Sequence, residues 1–119
     1  MSVQVFGRED DQSTRAALRF FKERRVVVHL VDLRRKAMAA GELRRFVERL
    51  GARGLVDETS RGYRDAGLAY LAMDDAELAA RLLADQRLLR LPLVRFGNDV
   101  TVGRSEATWK AWLVASSEP

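Results

Sequence analysis

The chain has no cysteine in its 119 residues and only one histidine, His29. The first absence excludes disulfides, thiolate-held metals and any redox cycle on the protein's own sulfur. The second removes the clustered imidazoles of zinc and iron centres, so no metal site is expected. No run approaches the roughly 18 apolar residues needed to span a bilayer. Met1-Ser2-Val3-Gln4-Val5 also lacks the basic start and long apolar core of a secretion signal. A cytoplasmic location away from membranes is therefore the expectation. Low-complexity linkers and internal repeats are missing too. With 47% hydrophobic content, the length suits one domain over residues 1–119.

What is present begins with charge. The net +4 is unevenly spread: residues 15–53 hold 12 Lys/Arg against 4 Asp/Glu, and the remainder holds 9 against 13. The arginines are interleaved with Leu, Ala, Phe and Glu, the pattern of solvated helix faces. Direct nucleic-acid binding is not expected from such a pattern. An acidic protein is the more suitable partner for it.

The chain alternates between two periodicities. Val3, Val5 and Phe6 form a short strand, and a loop opens at Gly7. A helix follows from about Ser13 to Arg24, with Ala17, Leu18, Phe20 and Phe21 inward and Ser13 as the expected N-cap. Val26 to Asp32 is a continuous β-branched run, read as a strand buried on both faces with His29 packed inside it. A helix from about Ala40 to Leu50 carries Leu43, Phe46, Val47 and Leu50 on one side and Arg44, Arg45 and Arg49 on the other, and Gly51 ends it. A helical turn around Ser60 to Ala66 closes at Gly67. Asp74-Asp75-Ala76-Glu77 resembles a capping box for a helix with Leu78, Leu82 and Leu83 on its apolar face. Leu91 to Val102 reads as a hairpin turning at Gly97-Asn98-Asp99. Ser105 caps a last helix, whose inward stripe is Trp109, Trp112 and Leu113 before the polar tail Ser116 to Pro119.

Strand, helix, strand, helices, hairpin, helix is the order of an α/β, thioredoxin-like fold: a mixed four-stranded sheet with a helical insertion before the C-terminal hairpin. The core segments are about 3–32 and 88–114, and the insertion is about 38–87. The ordered landmarks Val5-Phe6-Gly7, Arg15, Asp32-Leu33-Arg34, Glu42-Leu43, Gly51, Leu55, Tyr63-Arg64, Gly67-Leu68, Leu88 to Leu93 and Val102-Gly103 carry a more specific likeness. Over about Val3 to Leu113 the chain resembles the ArsC-type arsenate reductases, a family that includes the Spx-type transcriptional regulators. The resemblance implies a cis bond at Leu91-Pro92, facing the loop at the start of the first helix.

The same resemblance exposes departures. Asp11 stands where the family has its nucleophilic cysteine, and Thr14 where redox-active members have a second. Leu91 replaces the arginine before the cis-proline, and Thr59 replaces another arginine, with Arg61 close by. Asp11, Thr14, Arg15, Leu91 and Pro92 thus make up a vestigial site. Arsenate reduction in this family proceeds through an arsenic–sulfur bond, and a carboxylate cannot be that reductant. Glu9, Asp10 and Asp11 also bring up to three negative charges to the helix start. Like charges about 4 Å apart repel by roughly 1 kcal/mol in water, enough to offset the helix-end attraction for an anion.

Three functions stay open. One is a non-catalytic regulator that touches the RNA polymerase α-subunit through Arg44, Arg45, Arg49 and Gly51, since Gly51 aligns with a glycine that Spx-type members use there. Another is an enzyme that borrows the thiol of glutathione, held at Ser13, Thr14, Arg61 and Pro92. The third is a protein whose ancestral site has decayed and whose role is a subunit contact. Apart from glutathione, no cofactor is expected.

Overall fold

The computed structural model describes residues 1–117. Its sheet has four strands in the order β2-β1-β3-β4, built from β1 (Ser2–Gly7), β2 (Val27–Asp32), β3 (Leu93–Phe96) and β4 (Asp99–Val102). β1 runs parallel to β2 with Val5 opposite Leu30, and antiparallel to β3 with Val5 opposite Val94. β3 and β4 form the expected hairpin, turning at Gly97 with φ 61°. This is the mixed, thioredoxin-like sheet that the resemblance implies. Leu91–Pro92 is cis.

Two apolar clusters sit on the two faces of the sheet because alternate strand residues point opposite ways. On one face, Val3 and Val5 meet α1 (Gln12–Glu23) and α6 (Glu106–Ser117) through Phe20, Phe21 and Trp109. The Trp109 ring lies 5.4 Å from both phenylalanine rings, and its Nε1–H donates to Thr101 Oγ1 at 2.8 Å, so its polar edge is satisfied in the core. Phe6 and Leu93 point to the other face, where α2 (Ala40–Leu50), α3 (Ala52–Leu55), α4 (Arg61–Asp65) and α5 (Asp75–Ala84) gather. Phe6 meets Phe46 edge-on at 5.9 Å.

Local chemistry explains most boundaries. Gly51 adopts φ 75° and its N–H returns to Val47 O at 2.8 Å, ending α2 as expected of a glycine. Ser60 caps α4 through Tyr63 N–H, and Gly67 (φ 65°) follows it. Asp74 Oδ1 accepts from Glu77 N–H at 2.8 Å, the capping half of the box read at α5. Arg95 on β3 ties the sheet to α2 by pairing with Glu42 at 2.6 Å and with Gln4.

Five expectations are corrected. β2 is the sheet edge, not a strand buried on both faces: Val27 is 57% exposed and His29 is exposed rather than packed. Its apolar run reflects β-branched propensity at an edge, where pairing with β1 suffices. Leu83 lies outside the α5 core face formed by Leu78 and Leu82. α1 is capped by Asp11 rather than Ser13. Ser105 does precede α6, but its hydroxyl donates back to Val102 O at 3.3 Å. The short α3 has no signature in the sequence, since four residues carry too little periodicity. Of the polar tail, Glu118 and Pro119 lie outside the described residues.

Candidate functional site

β1 delivers the chain to the head of α1 through Gly7, and the sequence after it is folded onto itself. Asp11 Oδ2 accepts from both the backbone N–H and the hydroxyl of Thr14, each at 2.8 Å. Thr14 Oγ1 in turn accepts from Arg8 N–H at 3.3 Å, and the side chain is fully buried. It presses so closely on β1 that a Cβ on Gly7 would lie 2.4 Å from its hydroxyl oxygen. Asp11 and Thr14 are thus one capping unit, with every polar atom of the threonine engaged.

The acidic loop is less repulsive than its composition suggests. Asp10 meets Arg8 at 2.8 Å and Arg34 at 3.7 Å. The hydrogen bond from Arg8 holds the Asp10 carboxyl below the usual carboxylate range, and Arg8 is raised by the same bond. Arg34 also clasps Asp32 at 3.0 Å, lowering that carboxyl, chiefly through the side-chain hydrogen bond. Asp11 is the one of the three that caps the helix, and Arg8 and Arg34 offset the charge of Asp10.

Beside this head lies a cavity of about 1260 Å³. Asp11, Ser13, Arg61 and Leu91 line it, as do Arg8, Arg87, Arg90 and Arg104. Thr14 and Pro92 are buried outside its lining, and Arg15 points outward, donating to Glu9 O at 3.2 Å. Most of the lining arginines are already answered: Arg61 by Asp65 at 3.5 Å, Arg87 by Asp85 at 2.9 Å, and Arg104 by Glu106 at 3.2 Å. The hydrogen bond from Arg87 lowers the Asp85 carboxyl. Thr59 is spent on Asp57, its hydroxyl donating at 2.6 Å.

Arg90 is the exception, for no carboxylate pairs with its guanidinium among the described residues. It lies across Gly103, where a Cβ would sit 2.9 Å from one of its nitrogens, and Gly103 itself has φ 73°. Arg90 and Arg104 line the cavity although the family pattern points to position 91, where this chain has Leu91. The signal was their placement, one residue from Leu91-Pro92 and one after Gly103, two segments joined by Gly103 N–H to Pro92 O at 2.8 Å.

Arg44, Arg45, Arg49 and Gly51 belong to a different surface, on α2. The three arginines are exposed. Arg45 reaches Glu42 at 3.7 Å, while Arg44 and Arg49 have no carboxylate among the described residues. No group of three or more metal-ligating side chains occurs among the described residues.

Comparison with known proteins adds family and fold. No curated protein sequence matches the chain. Among solved structures, the YffB protein superposes with a TM-score of 0.84 at 17% identity, over 92% of this chain and 97% of its own. An arsenate reductase from Vibrio cholerae gives 0.80 at 18%, over 91% and 94%. An arsenate reductase (ArsC) related protein from Brucella melitensis gives 0.68 at 19%, covering 95% of each. At these identities the structures speak for the fold alone. The family description ArsC matches residues 6–112, nearly the whole chain, and so this protein belongs to the ArsC family.

Proposed function

We propose that this ArsC-family chain acts by binding an acidic partner protein without redox turnover, the RNA polymerase α-subunit being the first candidate. Asp11 carries the reading. At the place where the resemblance implies a nucleophilic thiol there is a carboxylate committed to Thr14 by two hydrogen bonds, and the chain has no thiol of its own. The exposed cations of α2 supply a surface for the partner, with Arg44 and Arg49 unanswered beside the Gly51 turn. Residues 1–119 act as one domain, and the insertion of about 38–87 carries this face. A cytoplasmic setting goes with the reading; no described helix is long and apolar enough to cross a membrane.

The expected result is no arsenate reduction with glutaredoxin, thioredoxin or glutathione as electron source. Turnover that depends on this protein overturns the non-redox reading. Purified α-subunit should be retained at low salt and released as salt rises. Retention should disappear in the triple variant Arg44→Glu, Arg45→Glu, Arg49→Glu. Capture that survives reversal removes the α2 surface from the reading, and no capture at all removes the polymerase.

Ser13 favours a second reading, an enzyme that borrows the glutathione thiol. It lines the cavity near the head of α1, and its hydroxyl makes no hydrogen bond among the described residues. Thr14 is fully engaged, so Ser13 would have to stabilise the thiolate. Calorimetry with millimolar glutathione decides it: heat that falls in Ser13→Ala supports the enzyme, and no heat disposes of it.

A further inference from the structure

A second groove lies between α1 and α6. It encloses about 600 Å³ and shares Arg104 with the larger cavity as a common wall. Ala16, Arg19, Phe20 and Glu23 line it from α1, at the i, i+3, i+4, i+7 spacing of one helix face. Glu106, Ala107 and Lys110 face them from α6. The two alanines leave depth between the helices, and the long side chains form the rims. Four cations and two carboxylates line the groove, Arg19, Arg24, Arg104 and Lys110 against Glu23 and Glu106. Glu23 meets Arg24 at 4.0 Å and Glu106 meets Arg104 at 3.2 Å. Arg19 and Lys110 have no carboxylate among the described residues, and both are exposed.

We infer that the α1–α6 groove binds an extended acidic peptide segment of a partner protein, with Arg19 and Lys110 as its anchoring cations. The inference rests on the reading that the chain acts by binding, but it concerns another surface than α2. Charge complementarity selects the occupant. The unanswered cations are discrete and flanked by Glu23 and Glu106, which would repel a continuous phosphate backbone. A peptide in extended conformation presents carboxylates at every second residue to one side, so it can meet separated cations and keep the lining carboxylates apart from its own. Single-stranded nucleic acid also gains from stacking on exposed rings. The one aromatic residue lining this groove, Phe20, is buried under the Arg24 guanidinium, which lies 3.8 Å from the ring centroid. The continuation past Arg104 leads to Arg90, the unanswered cation of the large cavity, so the segment has a further contact along its length.

The test is fluorescence anisotropy of a labelled peptide of alternating Glu and Ala, with the full chain at low salt. Binding is expected, weakening as salt rises, with affinity lower by about tenfold in the double variant Arg19→Glu, Lys110→Glu. Arg19→Gln, Lys110→Gln should give a smaller loss, which checks that charge rather than a folding defect is read. An oligonucleotide of equal charge should bind more weakly than the peptide. The inference is overturned by unchanged affinity after reversal, by no peptide binding at low salt, or by tighter binding of the oligonucleotide. No polymerase and no α2 residue enters this measurement. Failure here leaves α-subunit capture standing, and failure of capture leaves this groove standing.

Discussion

The head of α1 and the outer face of α2 handle charge in opposite ways. Around the first, arginine and carboxylate stand two residues apart and close on each other, Arg8 with Asp10, Arg34 with Asp32, Arg87 with Asp85. On the second, Arg44 and Arg49 are exposed with no such neighbour. Exposed pairs of this kind add little stability, but each bond holds its two side chains to one another. The first region therefore uses charge to hold its own loops, and the second leaves it free to act outward. Where the resemblance implies a thiol, Asp11 serves as framework, holding the helix start through its two hydrogen bonds from Thr14.

The sharpest way to break this contrast is to disturb the framework where it has no slack. Gly7→Ala would drive a methyl group into Thr14, a contact no rotamer relieves because Thr14 is itself buried and bonded. Overpacking of this kind costs about 1–3 kcal/mol, and urea denaturation should show it as a lower midpoint with little change in slope. An unchanged midpoint would mean that the threonine is not wedged against β1. Next in size is Asp11→Ala, which removes the cap and leaves the Thr14 N–H and hydroxyl without their acceptor. A loss of about 1 kcal/mol is expected. If stability holds, Asp11 is not structural and the framework reading fails at its centre.

Asp11→Cys sharpens the same point chemically. A thiol there sits at the helix start and should titrate below its ordinary value of about 8.5. Asp10 is occupied by Arg8 and Arg34, so its opposition is weaker than its sequence position suggests. An ordinary or raised thiol pKa, measured by alkylation rate against pH, would count against this account of the helix start.

The fold was legible because its signals are local and redundant. Gly51, Gly67 and Gly97 mark helix and hairpin ends that only positive φ allows, and the α2 apolar spacing needs no tertiary knowledge. The edge position of β2 was not, because a run of Val and Leu broken only by His29 has the same appearance at an edge as in a buried strand. The cap of α1 failed for a related reason: Asp11, Gln12 and Ser13 are consecutive polar residues, and a shift of two positions turns the expected cap into a helical residue. At the site, Asp11, Ser13, Arg61 and Leu91 could be named from the sequence. That Arg90 lies free across Gly103 while its neighbours are paired depends on contacts between segments far apart in the chain, which no spacing records.

Neutralising the unpaired α2 cations should be almost silent in stability. Arg44 and Arg49 have no carboxylate partner among the described residues, so Arg44→Gln, Arg49→Gln should stay within about 0.5 kcal/mol by denaturation even as partner capture weakens. A larger drop would show that the exposed cations hold the fold after all, and the difference between the two regions would dissolve.

Acidification tests the framework side with the smallest expected effect. The Asp10 and Asp32 carboxyls lie below their usual range because Arg8 and Arg34 bond their ionised forms. As pH falls, the unfolded chain takes up these protons first, so the stabilisation is complete above the ordinary aspartate value of about 3.9 and is lost as pH drops through the lowered folded value. From pH 7 to about pH 5 these pairs should therefore contribute no change in Tm. Asp10→Asn should melt slightly below the unmodified protein at neutral pH, and the two should converge once acid has protonated Asp10 in the latter. A gap that persists in strong acid would mean that Asp10 holds Arg8 and Arg34 by shape and hydrogen bonding rather than by charge. The loop would then be ordered without help from its ion pairs.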